Sequence, residues 1–294
     1  NICSDFIPLT ATGCAQPLNA KFDYPSWTIG LDYRASDDVF LYAKSSRASL
    51  AGGFNTRVAP LGEQAFQPET VTDFELGAKI ELLNKRLRAN VAVFKINSKD
   101  GQRIVNGVVQ GRTTQYTQNS GSSATKGAEL EVTALPWDGM RITMGAAYLD
   151  AYYKNGAFIE NRGTVLNPIL VDRSAEPIPN APQWSFNTGA TQNFDLPIGN
   201  LSIHADYSYF DEKVIGATTA DPGSPPSVLA AIAEQNRLAI IDSYSLVSAR
   251  VALEFDNGIE VSVWGRNITN KEHASYIFDS YNSTGFTTIF KGEP

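Results

Sequence analysis

The chain has 294 residues, 43% hydrophobic and 19% charged, with a net charge of -7. Such a length suits one large domain or two ordinary ones, and a pI near 5.0 leaves no basic footprint for nucleic acid. No apolar run is long enough for a transmembrane helix, which says nothing against strands that cross lipid with half their residues.

The first segment is rich in Thr, Pro, Asn and Ala and holds both cysteines, Cys3 and Cys14. With no metal-type spacing near them, a local disulfide in an oxidising compartment is the better reading, two unpaired thiols the other. The segment lacks the basic start and apolar stretch of a signal peptide, and it begins without Met. It is expected to be an internal piece of a longer protein.

From Trp27 to Asn267 the hydrophobic pattern has a period of two, and ten candidate strands can be read. Trp27, Ile29, Leu31 and Tyr33 share one face, against Thr28, Gly30, Asp32 and Arg34. Phe74, Leu76, Ala78, Ile80 and Leu82 oppose Asp73, Glu75, Gly77, Lys79 and Glu81. Ala128, Leu130, Val132 and Ala134 oppose Glu129, Glu131 and Thr133. The same alternation returns from Trp184, from Leu201, from Val247 and from Ile259. Gly77 and Gly127 within strands signal a bend or a close approach of neighbours.

Every second connection is tight: 35–38, 83–86, 136–139, 195–199 and 256–258. Three of the four between them are long: 48–69, 154–182 and 213–241. A water-soluble sandwich has no reason to keep its short turns on one side, whereas a membrane barrel has short turns at one rim and long loops at the other. Residues 87–105 and 113–135 read as strands longer than the usual ~5–6 residues. That length suits strands that cross lipid in about 9–11 tilted residues and project beyond it. Aromatics near strand ends (Trp27, Tyr33, Trp137, Tyr152, Trp184, Tyr209, Phe255) fit an interfacial girdle or ordinary core packing. Residues 227–236 form the one stretch of helical propensity, inside a long loop. The predicted fold class is all-β, an antiparallel transmembrane β-barrel.

Enzyme constellations are missing. His204 and His273 lie far apart on a predicted strand and loop, and neither a metal site nor a cofactor is expected. No phosphate-binding glycine loop, Cys-x-x-Cys or Gly-x-Ser-x-Gly occurs. Glu129 and Glu131, at i and i+2 on one strand face, read as solvated interior charge rather than an acid/base pair.

Several stretches carry a family resemblance. Residues 41–47 with Gly52, Gly53, Phe54 and Asn55 form the first, and Pro68, Glu69, Thr70 and Val71 with 74–79 the second. Asn119, Ser120, Gly121 and Ala124 lead into Lys126-Gly127-Ala128-Glu129-Leu130-Glu131. Pro179, Asn180, Ala181 and Pro182 precede Trp184, and Trp264-Gly265-Arg266-Asn267-Ile268-Thr269-Asn270 closes the series. In order and at fitting spacing, these resemble the C-terminal half of a TonB-dependent outer-membrane receptor barrel.

The resemblance implies about ten strands, numbers 12 to 21, of a barrel of 22 with a plugged lumen. Residues 1–26 would form an extracellular loop, 27–269 strands and loops, and 270–294 a final extracellular loop. Gly292, Glu293 and Pro294 match the entry to a last strand, and that strand, the plug and the TonB-binding box are expected elsewhere. Glu75, Glu129, Glu131, Arg266 and Asn267 would face the lumen or contact the plug; a plain turn role is the other reading of Asn267. The function implied is TonB-energised uptake of a scarce solute, with a ferric siderophore foremost among siderophores, haem, cobalamin and glycans. Partners would be the TonB complex, outer-membrane lipid and an extracellular small molecule, in a Gram-negative outer membrane. Tyr153, Arg162, Arg173, Tyr281 and Phe286 are candidate ligand contacts, because Arg suits anionic chelates and aromatics suit planar groups. A passive porin and a secreted β-sandwich binding module are the alternative readings, and the 294 residues alone are expected to have no activity.

Overall fold

The computed structural model describes residues 18–55, 64–109, 112–154, 156, 158–161, 169–279 and 287–292. Cys3, Cys14, Arg162, Tyr281 and Phe286 lie outside the described residues. The first elements in chain order are β1 (Trp27–Arg34), β2 (Val39–Leu50), β3 (Gly53–Phe54), β4 (Ala65–Phe66), β5 (Glu69–Leu82), β6 (Leu87–Lys99) and β7 (Gln102–Val109). Next come β8 (Arg112–Asn119), β9 (Ser123–Ala134), β10 (Met140–Tyr153), β11 (Ile159–Asn161), β12 (Leu170–Asp172), β13 (Trp184–Leu196) and β14 (Gly199–Phe210). The last are β15 (Lys213–Val214), α1 (Pro226–Leu238), β16 (Ile240–Ile241), β17 (Tyr244–Phe255), β18 (Glu260–Gly265), β19 (Ala274–Asp279) and β20 (Thr287–Lys291).

Alternation becomes a wall. Ten strands pair in the order β1-β2-β5-β6-β9-β10-β13-β14-β17-β18, each antiparallel to a partner next to it in the wall's own sequence. This is a single meander with β1 and β18 at its edges, and a two-layer sandwich is ruled out for the described residues. Register keeps one set of side chains on each face. Leu31, Ala43, Leu76, Val93, Ala128, Tyr148 and Trp184 form one cross-strand row. Asp32, Tyr42, Gly77, Ala92, Glu129, Ala147 and Ser185 form the corresponding row on the other face.

The apolar face is bare. Leu31 is 71% exposed, Leu76 60% and Val263 76%. Soluble domains do not leave contiguous apolar surface of this kind uncovered. The large buried apolar residues gather elsewhere: Val105, Tyr116, Tyr153, Phe158, Val171, Ile241 and Ile277 all belong to the loop layer or the strand ends beside it, and the small Ala252 is buried within the wall.

The tight turns all fall at one end of the wall. In the β5–β6 turn Leu83, Asn84 and Lys85 have φ of 54°, 54° and 66°, the left-handed backbone that suits the right-handed twist of a hairpin. The other end carries four long connections, not three. Residues 87–105 and 113–135 are not single strands: wall pairing stops at Lys99 and resumes at Ser123. Between them β7 and β8 form a separate hairpin. Asp100 (φ 55°) and Gly121 (φ 72°) turn the chain there, and Gly101 exchanges backbone bonds with Gly121 and Ser120 at 2.9 and 2.8 Å.

Four further short ladders, β3–β4, β11–β12, β15–β16 and β19–β20, stand at the same end. The helix α1 spans residues 226–238 between β15 and β16. Pro225 precedes it in extended conformation and Pro226 opens it, where the missing N–H costs nothing.

Candidate functional site

The polar face of the wall is braced by cross-strand pairs in which a small residue makes room for a large one. A Cβ on Gly77 would collide with the ring of Tyr42, directly opposite it on β2. One on Gly127 would collide with the ring of Phe94, directly opposite on β6. Laid over Gly77, Tyr42 reaches Glu75, donating its hydroxyl to Oε1 at 2.7 Å, with Lys44 Nζ 3.5 Å from Oε2.

Further along, Asn90 donates to Glu131 at 3.2 Å and Arg88 to Glu81 at 2.6 Å. His204 bridges Thr191 (2.8 Å) and Asp206 (2.7 Å), and Arg250 meets Glu260 at 2.5 Å. Glu75, Glu129 and Glu131 thus share one polar face, with Glu75 held by Tyr42 and Lys44 and Glu131 by Asn90.

Arg266 lies with its guanidinium carbon 5.7 Å from the Trp264 ring centroid. Asn267 is 7% exposed, with φ 45°. Its carboxamide accepts from the Lys271 amide at 2.9 Å and donates to the Lys271 carbonyl at 3.1 Å. That is the geometry of a turn clasp.

The long-loop end is tied together by two nodes. In the first, Val105, Tyr116, Tyr153 and Phe158 make an apolar cluster with Ile178 against it. Tyr153 is 7% exposed and packs on Phe158 with centroids 5.0 Å apart. It joins β10 to the β7–β8 hairpin and the following loop.

In the second node, Arg173 Nη1 meets Glu160 at 3.1 Å, Nη2 meets Glu176 at 2.7 Å and Nε bonds Glu176 at 2.8 Å. Nη2 also donates to the Ala217 carbonyl at 2.9 Å, and the cation lies over Phe158. Burial works against the guanidinium charge, yet the hydrogen bonds and charges of Glu176 and Glu160 outweigh it and raise its pKa above the ordinary arginine value. Tyr153 and Arg173 hold loop to loop here, with Arg173 reaching the segment before α1.

A third feature escaped the sequence reading. Phe210, Tyr244 and His273 stack in series, with centroids 5.0 Å and 4.2 Å apart. Tyr244, His273 and Lys271 line one open hollow with residues of β16, β19 and β20. Phe210 and Tyr244 are cross-strand partners, so pairing aromatics at strand ends could have found them. His273 arrives through the β19–β20 segment, with no local signal. Among the described residues no cluster of His, Cys, Asp and Glu is arranged to hold a metal ion.

The family model for a TonB dependent receptor-like beta-barrel matches residues 7–268. The chain belongs to the TonB-dependent receptor β-barrel family. A curated relative, the probable TonB-dependent siderophore receptor PiuA of Acinetobacter baumannii, is 24% identical over 211 residues, 69% of this chain and 27% of that protein. The metal-pseudopaline receptor CntO of Pseudomonas aeruginosa is 26% identical over 139 residues, 47% of this chain and 18% of that protein. The chain therefore spans about a quarter or less of these relatives' length.

Among solved structures, the ferric yersiniabactin uptake receptor FyuA from Yersinia pestis superposes with a TM-score of 0.65 at 15% identity, covering 90% of this chain and 35% of that one. The A. baumannii siderophore receptor PiuA gives 0.63 at 18%, covering 86% and 33%. At such identities the likeness is one of fold. With the family match, it makes the ten-stranded meander a stretch of TonB-dependent receptor barrel wall. The family is one of receptors and transporters in the outer membrane of Gram-negative bacteria, not of enzymes.

Proposed function

We propose that this chain forms part of the wall and outer loops of a receptor that imports a ferric siderophore across a Gram-negative outer membrane, driven by TonB. The observation that carries this reading is the family match over residues 7–268, and the siderophore-receptor names of the relatives support the ligand class. The long-loop end is the extracellular one in this reading. Arg162, Tyr281 and Phe286 supply loop contacts to an anionic, ring-bearing chelate, and Tyr244 with His273 offers a stacking platform at the mouth. Tyr153 and Arg173 act by holding those loops in place. Glu75, Glu129, Glu131 and Arg266 face a plug domain, and Asn267 keeps the turn after β18 closed.

Uptake of radiolabelled iron by cells carrying the complete receptor, under iron limitation, tests the proposal with hydroxamate, catecholate and carboxylate siderophores. Accumulation of at least one chelate that stops when TonB is deleted is the expected result. Entry of small solutes irrespective of TonB would make the protein a passive pore and overturn the reading.

A further inference from the structure

The wall stops at the long-loop rim, but the strands' habit of pairing does not. Each long connection carries its own ladder, β3–β4, β7–β8, β11–β12 and β15–β16, and each ladder is a separate two-stranded sheet. Side chains make the joins between them. Asn55 Nδ2 donates to the Thr117 carbonyl at 2.9 Å, while its Oδ1 accepts the Thr117 amide at 2.7 Å. Asn119 clasps Gln67 in the same way, donating to its carbonyl at 2.9 Å and accepting its amide at 2.6 Å. One carboxamide thus satisfies both backbone groups of a residue in the neighbouring connection, as a paired strand would. Gln102 Nε2 adds a bond to the Ala51 carbonyl at 2.8 Å.

The ties continue around the rim. The β7–β8 hairpin meets β10 and the third connection through the cluster of Val105, Tyr116, Tyr153 and Phe158, and Gln118 Nε2 bonds the Ile159 carbonyl at 3.2 Å. Third and fourth connections meet where Thr219 donates to Glu176 at 2.7 Å, beside the bond from Arg173 to Ala217. The Asn180 amide also bonds the Val214 carbonyl at 2.8 Å. Within the fourth connection, Asn236 of α1 clasps both backbone groups of Thr218, at 2.8 and 2.9 Å, so the helix is held to that junction. Ordinary surface loops have few buried contacts and open one by one. These connections share buried side chains and bond to their neighbours, the condition under which segments open together.

We propose that the four long connections form one cooperative rim that opens as a unit, with Asn55 and Asn119 joining the first connection to the rest. A contact made on any one connection then biases all four, because coupling between sites carried by a shared opening is reciprocal. Its bearing on uptake rests on the receptor reading; the coupling itself does not.

Hydrogen exchange of the complete receptor in detergent, with no ligand added, tests the proposal. The N55A/N119A variant removes both clasps between the first connection and the hairpin. Exchange should accelerate at least about tenfold, at roughly fivefold for each hydrogen bond lost. The same factor is expected at the distant amides of Arg173, Asn180 and Ile215, which bond the carbonyls of Phe158, Val214 and Ala239. In the opposite direction, Arg173→Ala should accelerate exchange at the Thr117 amide. Lys85→Gln in the β5–β6 turn should leave the rim unchanged. Heat-modifiable electrophoretic mobility confirms that each variant is folded; where N55A/N119A does not fold, Arg173→Ala reads the same coupling from the other side. Acceleration confined to 51–69 and 100–121 in N55A/N119A, or to 154–219 in Arg173→Ala, would show loops that open independently and overturn the cooperative rim, with the receptor reading intact. Shared acceleration in a protein that takes up no iron chelate would instead support the rim and remove the receptor reading.

Discussion

At the scale of single residues, the wall is set by what glycine leaves out. Gly77 lets the Tyr42 ring lie flat across the strand and reach Glu75 at 2.7 Å. Gly77→Val is expected to push that ring aside and destabilise the folded receptor by about 1–3 kcal/mol, as overpacking does. Urea unfolding in detergent measures it, and an unchanged midpoint would show that the ring relocates freely. Arg173 is the second decisive residue, since Glu160 and Glu176 keep only 4% and 9% of their side-chain surface exposed. Arg173→Ala removes the cation that faces two buried carboxylates, a loss of about 3–5 kcal/mol in local stability. Chymotrypsin should then nick the 154–183 connection of the otherwise folded receptor, whereas the intact protein resists. The crowding at Gly77 and Gly127 was legible in the sequence, because a glycine inside an alternating strand has few other uses. The burial of Tyr153 and Arg173 was not: Glu176 is a near neighbour of Arg173, but the Ala217 carbonyl is 44 residues away, and Tyr153 is covered by Val105 and Tyr116 of a separate hairpin.

At the scale of elements, strands follow from alternation and breaks follow from turns. The kink at Asp100-Gly101 and Gly121 shows the limit of that logic, because a β-rich run on either side made 87–105 look continuous. Both glycines were visible, and the local backbone outweighed the propensity of the run. The β19–β20 hairpin is tied across its base by Lys291 Nζ and Glu272 at 2.9 Å. That hydrogen bond and the lysine charge hold the Glu272 carboxyl below its ordinary pKa. A lowered carboxylate pKa means that the tie is fully present above the ordinary value and is lost as pH falls through the lowered one, in the acid range below about pH 4.5. Following the Glu272 carboxyl by carbon NMR should show its midpoint rise in a Lys291→Gln variant. An unmoved midpoint would mean that the pair is not formed in solution.

At the scale of the whole molecule, the inside-out distribution of apolar surface is the property that separates this wall from a soluble sheet. Leu76, 60% exposed at the middle of β5, provides the test. Leu76→Arg should cost about 2–4 kcal/mol if the face meets hydrocarbon, against a change within about 0.5 kcal/mol for an ordinary exposed site. Folding into phospholipid vesicles compared with detergent distinguishes the two. The wall was readable from period and turn asymmetry because each strand's pattern is local. The aromatic stack of Phe210, Tyr244 and His273 was not, because it forms only where three separate segments converge.

The placement of the tight turns has one more consequence. Each strand of the wall pairs with those next to it in the wall order, and all the long connections leave from one rim. Lengthening such a connection is cheap, about 0.6 kcal/mol for each doubling of its length, and it shifts no pairing in the sheet. Under the proposed function, recognition and anchorage would therefore be written in different parts of the chain. Segments at the loop rim can be exchanged between relatives, by recombination or by design, while the same wall continues to seat in the same membrane.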